Sequence, residues 1–183
     1  MKHYKNEKKR GFTIIEVVLV LAIAGLIFMM IFLAWPALNR TQRDAKRRDD
    51  ISLFLKKLKD YQTNNRGALP TRDVSEPTAV LDVTFDASAS GITWAGFYHD
   101  YLGENFTDPN GGEYVLSIEI CKKDGKLGDP CTNALSNSSE FPSKLKVFIS
   151  GNCDGSDAIV SNNPRKVAVQ YRMENGGLYC VNT

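Results

Sequence analysis

The 183-residue sequence predicts an α+β protein, one long N-terminal helix packed on a small antiparallel β-sheet. Three observations carry that expectation. Residues 17–38 are 22 consecutive positions without a charge, while all 44 Lys, Arg, Asp and Glu side chains lie elsewhere. Residues 39–65 contain neither proline nor glycine, and Ile51, Phe54, Leu55, Leu58 and Tyr61 recur there at helical spacing. Beyond residue 113 apolar residues alternate with polar ones at period two, the signature of strands with one buried face. A composition of 43% hydrophobic and 24% charged residues excludes a disordered chain, and the 145 residues after position 38 are too few for a large multidomain enzyme.

Residues 1–11 form a short basic leader, with Lys2, Lys5, Lys8, Lys9 and Arg10 against Glu7. Residues 12–38 follow as an apolar helix. At about 1.5 Å per residue the uncharged run reaches roughly 33 Å, enough for a hydrocarbon core of about 30 Å. A secretory signal peptide would have a shorter apolar core and a small-residue cleavage site after it. Glu16 breaks the pattern, because a carboxylate in an apolar helix is normally paired or functional. Trp35 suits the outer interface of a bilayer.

Residues 39–66 read as the amphipathic continuation of the helix, with its apolar face on the sheet. Gly67 supplies a left-handed cap and Pro70 lies just beyond. The basic stretch 40–48 reads as a solvated helix face, able to meet anionic lipid or acidic side chains of neighbouring copies. Residues 67–183 form the head. A short strand is expected at Leu81, Val83 and Phe85, a short helix over 93–102, and clear strands over 114–120, 145–149 and 167–173. Asn175-Gly176-Gly177 then turns the chain into a last strand.

The net charge of +2 sums blocks of opposite sign: +4 over residues 1–10, +6 over 40–72 and −7 over 73–183, with Glu16 supplying the last −1. An acidic head is a poor nucleic-acid surface, and no direct nucleic-acid site is evident. Cys121, Cys131, Cys153 and Cys180 all lie in the head, without a C-x-x-C pair or a nearby histidine, so disulfides are expected and with them an oxidising compartment. Three pairings are open to four cysteines. The favoured one joins Cys121 to Cys131 and Cys153 to Cys180.

Arg10-Gly11-Phe12-Thr13-Ile14-Ile15-Glu16, running into Val17-Val18-Leu19-Val20-Leu21-Ala22-Ile23, resembles the class III signal of type IV pilins and pseudopilins. That resemblance implies a pilin-like fold and a prepilin peptidase that cuts between Gly11 and Phe12 and methylates the new amine of Phe12. It implies further that Glu16 pairs with that amine on a neighbouring copy during assembly. One departure is the position of the proline, which many pilins carry earlier in the run and which stands here at Pro36.

The function expected is therefore that of a structural subunit of a surface filament, not an enzyme. The precursor waits in the cytoplasmic membrane with its N-terminus inside and its head outside, then enters an extracellular filament. Its partners would be other copies of itself in a helical array, the prepilin peptidase, an inner-membrane assembly platform and membrane lipid before assembly. The alternatives are a minor pilin or pseudopilin of a secretion or DNA-uptake machine, or a single-pass anchored binding domain. No cofactor is expected beyond a calcium reading of Asp108, Asn110 and Glu113, in a place comparable to the calcium loop of related pseudopilins. That cluster lacks the EF-hand spacing, and a solvated turn is its plainer reading.

Overall fold

The computed structural model describes residues 11–72, 80–121, 126–131 and 143–183. Residues 1–10 of the basic leader therefore lie outside the described residues. The chain divides into two compact units, residues 1–41 and residues 42–183. Helix α1, Ile14–Asn64, begins in the first and ends in the second.

In the first unit the apolar side chains of α1 are exposed along its length, among them Leu19, Phe28, Leu33 and Trp35. This stretch has a mean hydropathy of 3.1 and is long and apolar enough to cross a membrane. Pro36 lies inside the helix, where it removes one backbone donor.

In the second unit, the predicted face of α1 is the buried one: Ile51, Phe54, Leu55, Leu58 and Tyr61 all enter the core. The helix stops as the sequence requires. Arg66 and Gly67 both take positive φ, 57° and 80°, and the Gly67 amide donates to the Gln62 carbonyl at 2.6 Å. Among the described residues seven strands follow: β1 Leu81–Val83, β2 Val115–Ile120, β3 Lys144–Ile149, β4 Gly151–Asp154, β5 Asp157–Val160, β6 Val167–Arg172 and β7 Leu178–Asn182. Between β1 and β2 a four-residue helix α2, Trp94–Phe97, passes into a π-helical turn, Tyr98–Leu102. Thr93 caps α2 by accepting from the Gly96 amide at 3.1 Å.

The five-stranded sheet has the order β1-β2-β3-β6-β7. It is mostly antiparallel, as expected, but β2 and β3 are parallel, with Leu116 opposite Leu145 and Ile118 opposite Val147. Period-two alternation is the same in both orientations, so the pattern alone does not distinguish them. Leu116, Ile118, Leu145, Val147, Val169 and Tyr171 line the face that packs on α1. Each fully buried large apolar side chain contributes about 1.5–3 kcal/mol.

The reverse face corrects a second expectation, since it too is buried. Ser117, Glu119, Lys146, Phe148, Ala168 and Gln170, the alternating positions, are all shielded from solvent. The β4–β5 hairpin shares a second small core with this face. Phe148 and Ala168 pack there with Ala158 and Val160, and Gln170 donates to the Ser156 carbonyl at 2.9 Å.

Candidate functional site: the processing motif and the head's ion cluster

In the first unit, Gly11 stands where an added Cβ would meet nothing within 4 Å, so no packing in the fold demands glycine there. Phe12 is 90% exposed. Glu16 occupies the third helical position, and its carboxylate closes a capping box. Oε2 accepts from the Thr13 amide and from the Thr13 hydroxyl, both at 2.9 Å, while the Glu16 amide donates to Thr13 Oγ1 at 3.4 Å. The Thr13-x-x-Glu16 spacing was available in the sequence as a capping signal. Within one copy the Glu16 carboxylate is thus satisfied by its own helix start.

In the second unit the chemistry converges on Arg47, whose side chain is 0% exposed. Its guanidinium holds Asp108 with two parallel bonds, Nε to Oδ2 at 2.7 Å and Nη2 to Oδ1 at 2.9 Å. Nη1 donates to Glu174 at 2.7 Å and to Asp44 at 3.1 Å. Arg43 adds a second fork on Glu174, at 2.7 and 2.6 Å, and the Glu174 amide donates to Asp44. The Tyr171 ring lies 5.8 Å beneath the guanidinium. Nearby, the Tyr114 hydroxyl donates to Asp50 at 3.1 Å.

The electrostatic effects follow from this geometry. Hydrogen bonds from Arg43, and then from Arg47, hold the Glu174 carboxyl down at about 2 against an ordinary 4.5. The bond to Asp108 leads the effects that keep Arg47 charged despite its burial. Burial pushes the Tyr114 and Tyr171 hydroxyls up, so both stay neutral.

The expectation for the basic run is corrected here. The basic run 40–48 is not simply a solvated face, because Arg47 is buried and Arg43 is half-buried against acids of the same chain. Only the Asp44–Arg47 pair, three apart on the helix, was legible beforehand; Asp108 and Glu174 arrive from distant segments. Of the residues in the calcium reading, Asp108 holds Arg47 through both oxygens, Asn110 turns its side-chain amide to Glu174 at 3.4 Å, and Glu113 is exposed. Among the described residues no three His, Cys, Asp or Glu side chains are grouped as metal ligands.

The cysteines pair as Cys121–Cys131 and Cys153–Cys180. The first closes a short loop beside the β4–β5 hairpin. The second ties β4 to the last strand, β7. His99 Nδ1 donates to the Asp100 carboxylate at 2.8 Å, and its ring stacks on Phe85.

The family described as the prokaryotic N-terminal methylation motif matches residues 7–32, the class III signal of type IV pilins. No curated protein and no solved structure matches the chain. The motif supports a type IV pilin- or pseudopilin-type precursor, and the long helix with its mostly antiparallel head is similar to that architecture. The same motif and the apolar start of α1 fit a membrane-anchored form of that precursor.

Proposed function

We propose that the chain is the structural subunit of a type IV pilus-like surface filament. It is stored in the membrane, cut after Gly11, methylated at Phe12 and polymerised through its N-terminal helix. The observation that supports this most is the methylation motif over residues 7–32, set at the head of a helix whose apolar side chains have no cover within one copy. Such a surface needs lipid or other copies of itself. Cleavage would free an ammonium at Phe12, and Glu16, four residues on, is the carboxylate able to meet it across a subunit boundary. Bringing the two charges together removes two penalties in an apolar medium.

Glu16→Ala tests the proposal. The variant should insert and be processed to a mature chain beginning at methylated Phe12, verified by the mass of the N-terminal peptide. It should nevertheless fail to enter filaments, since an uncompensated buried charge costs about 3 to 5 kcal/mol, two to three decades in an assembly equilibrium. Thr13→Ala, which removes the helix cap but leaves the carboxylate, should keep filaments. Normal filament numbers from Glu16→Ala, counted by electron microscopy beside an immunoblot of the membrane pool, would refute the role of Glu16.

A further inference from the structure

In the second unit, α1 is flanked by chain of opposite charge on its two sides. On one side runs the segment between β1 and β2: Asn64 donates to the Tyr101 hydroxyl at 3.3 Å, and Asp50 accepts from Tyr114. On the other side lie the approach to β6 and strand β7: Gln62 donates to the Arg165 carbonyl at 3.0 Å, and Arg48 sits 5.3 Å over the Tyr179 ring. Asn64 and Gln62 are two residues apart, as are Asp50 and Arg48, which is about 200° around a helix. These contacts therefore mark opposite flanks of one helix.

Residues 80–121 carry seven carboxylates and no Lys or Arg. Asp108 and Glu119 are buried and Asp82 is paired with Lys144. Asp86, Asp100, Glu104 and Glu113 remain exposed, with Asp100 bonded to His99, while on this side of α1 Lys46 is held by Asp50 and Lys57 is half-buried. The other flank exposes Arg48, Arg66, Arg165 and Lys59, the last one turn before Gln62. The Arg165 side chain lies against Gly67, which brings it beside the end of α1. Glu174, just after β6, is already bound to Arg43 and Arg47, and the exposed Asp154 and Asp157 sit apart on the β4–β5 hairpin.

Two different patches of opposite charge on one subunit cannot satisfy each other within that subunit. They are complementary between copies placed head to tail, the arrangement that yields open helical assemblies. We infer that the acidic flank of one head, centred on Glu104 and Glu113, docks on the basic flank of the next, centred on Lys59 and Arg165. The occupant of each flank is a second copy of this chain. This docking rests on the filament reading above and adds to it a contact between heads, independent of the apolar helix start.

The test uses the full-length chain in cells that carry an assembly machinery. Glu104→Lys with Glu113→Lys, and separately Lys59→Glu with Arg165→Glu, should each lower filament yield by about tenfold or more at an equal mature membrane pool, because like charges then face each other. All four changes in one chain should restore filaments. So should co-expression of the two reversed chains, which can alternate along one filament. Unchanged yield from either reversal, or no recovery in both the fourfold variant and the co-expressed pair, would overturn the docking while leaving the filament intact. Absence of filaments from the unmodified chain would instead overturn the filament reading and the docking with it.

Discussion

Arg47→Met retains much of the side chain's length and apolar stem but removes the charge that Asp44, Asp108 and Glu174 share. Asp108 is the critical partner: its side chain is 2% exposed and both its oxygens rest on the guanidinium. The variant leaves that carboxylate buried without a cation, at a cost of about 3 to 5 kcal/mol. The pair of Arg43 with Glu174 is more exposed, and such pairs contribute about 0–1 kcal/mol, too little to compensate. The dependence on pH should weaken as well. In the unmodified head the Glu174 carboxyl falls from 4.5 to about 2. The unfolded chain therefore takes up this proton first, and the stabilisation, complete above about pH 5, is lost as pH falls toward 2. That difference of about 2.5 units corresponds to at most about 3 kcal/mol, reduced by the partial solvation of Glu174. In Arg47→Met the Glu174 carboxyl keeps only its fork with Arg43, so the loss of stability between about pH 5 and pH 3 should shrink. Urea unfolding of the full-length chain in detergent, followed by near-ultraviolet circular dichroism at both pH values, measures this. Adding Asp108→Asn to Arg47→Met should recover more than half of the loss, because the buried charge is gone. A loss below about 1 kcal/mol at pH 7 would refute the reasoning, as would an unchanged pH slope.

Two further outcomes are expected in the head. Gly151→Ala should destabilise by about 1–3 kcal/mol, because overpacking is costly: its Cβ would stand 2.9 Å from the Phe148 Cβ and carbonyl oxygen and 3.0 Å from the Ala168 Cβ. A urea midpoint equal to that of the unmodified chain would show that the β4 crossing yields more easily than its contacts imply. Replacing Cys153 and Cys180 together by serine should cost about 2–5 kcal/mol, the usual range for a native disulfide in a small extracellular domain. Thermal melts with and without reductant give the same comparison on the unmodified chain.

The helix and most strands were legible because they are governed by local periodicity. Ile51 to Tyr61 mark one face of α1 whatever they pack against, and the alternation over residues 167–173 requires only a pleated backbone. The parallel pairing of β2 with β3 was not legible, since orientation depends on the path of the chain between them. The second buried face was missed for a related reason. Ser117, Glu119, Lys146 and Gln170 are polar, and polar residues alternating with apolar ones imply solvent unless another element covers them. At the candidate site the contrast is sharper. Gly11, Phe12 and Glu16 stand within six consecutive residues, so a linear pattern contains them. Arg47, Asp108 and Glu174 are joined only by the fold, and no spacing rule relates them.

The edges of the head's sheet bear on how such chains tolerate crowding. A free edge strand is a template for another copy's backbone, and densely stored subunits would be exposed to that hazard. At one edge β1 is only three residues long and carries Asp82 at its centre, bonded to Lys144. At the other, β7 is strapped to β4 by the Cys153–Cys180 disulfide and by the amide contact between Asn152 and Asn182. Neither edge offers a long, flat row of unpaired amides. Any contact between copies would then fall to side chains, whose exchange is reversible, while uncontrolled strand addition is disfavoured even where copies lie close together.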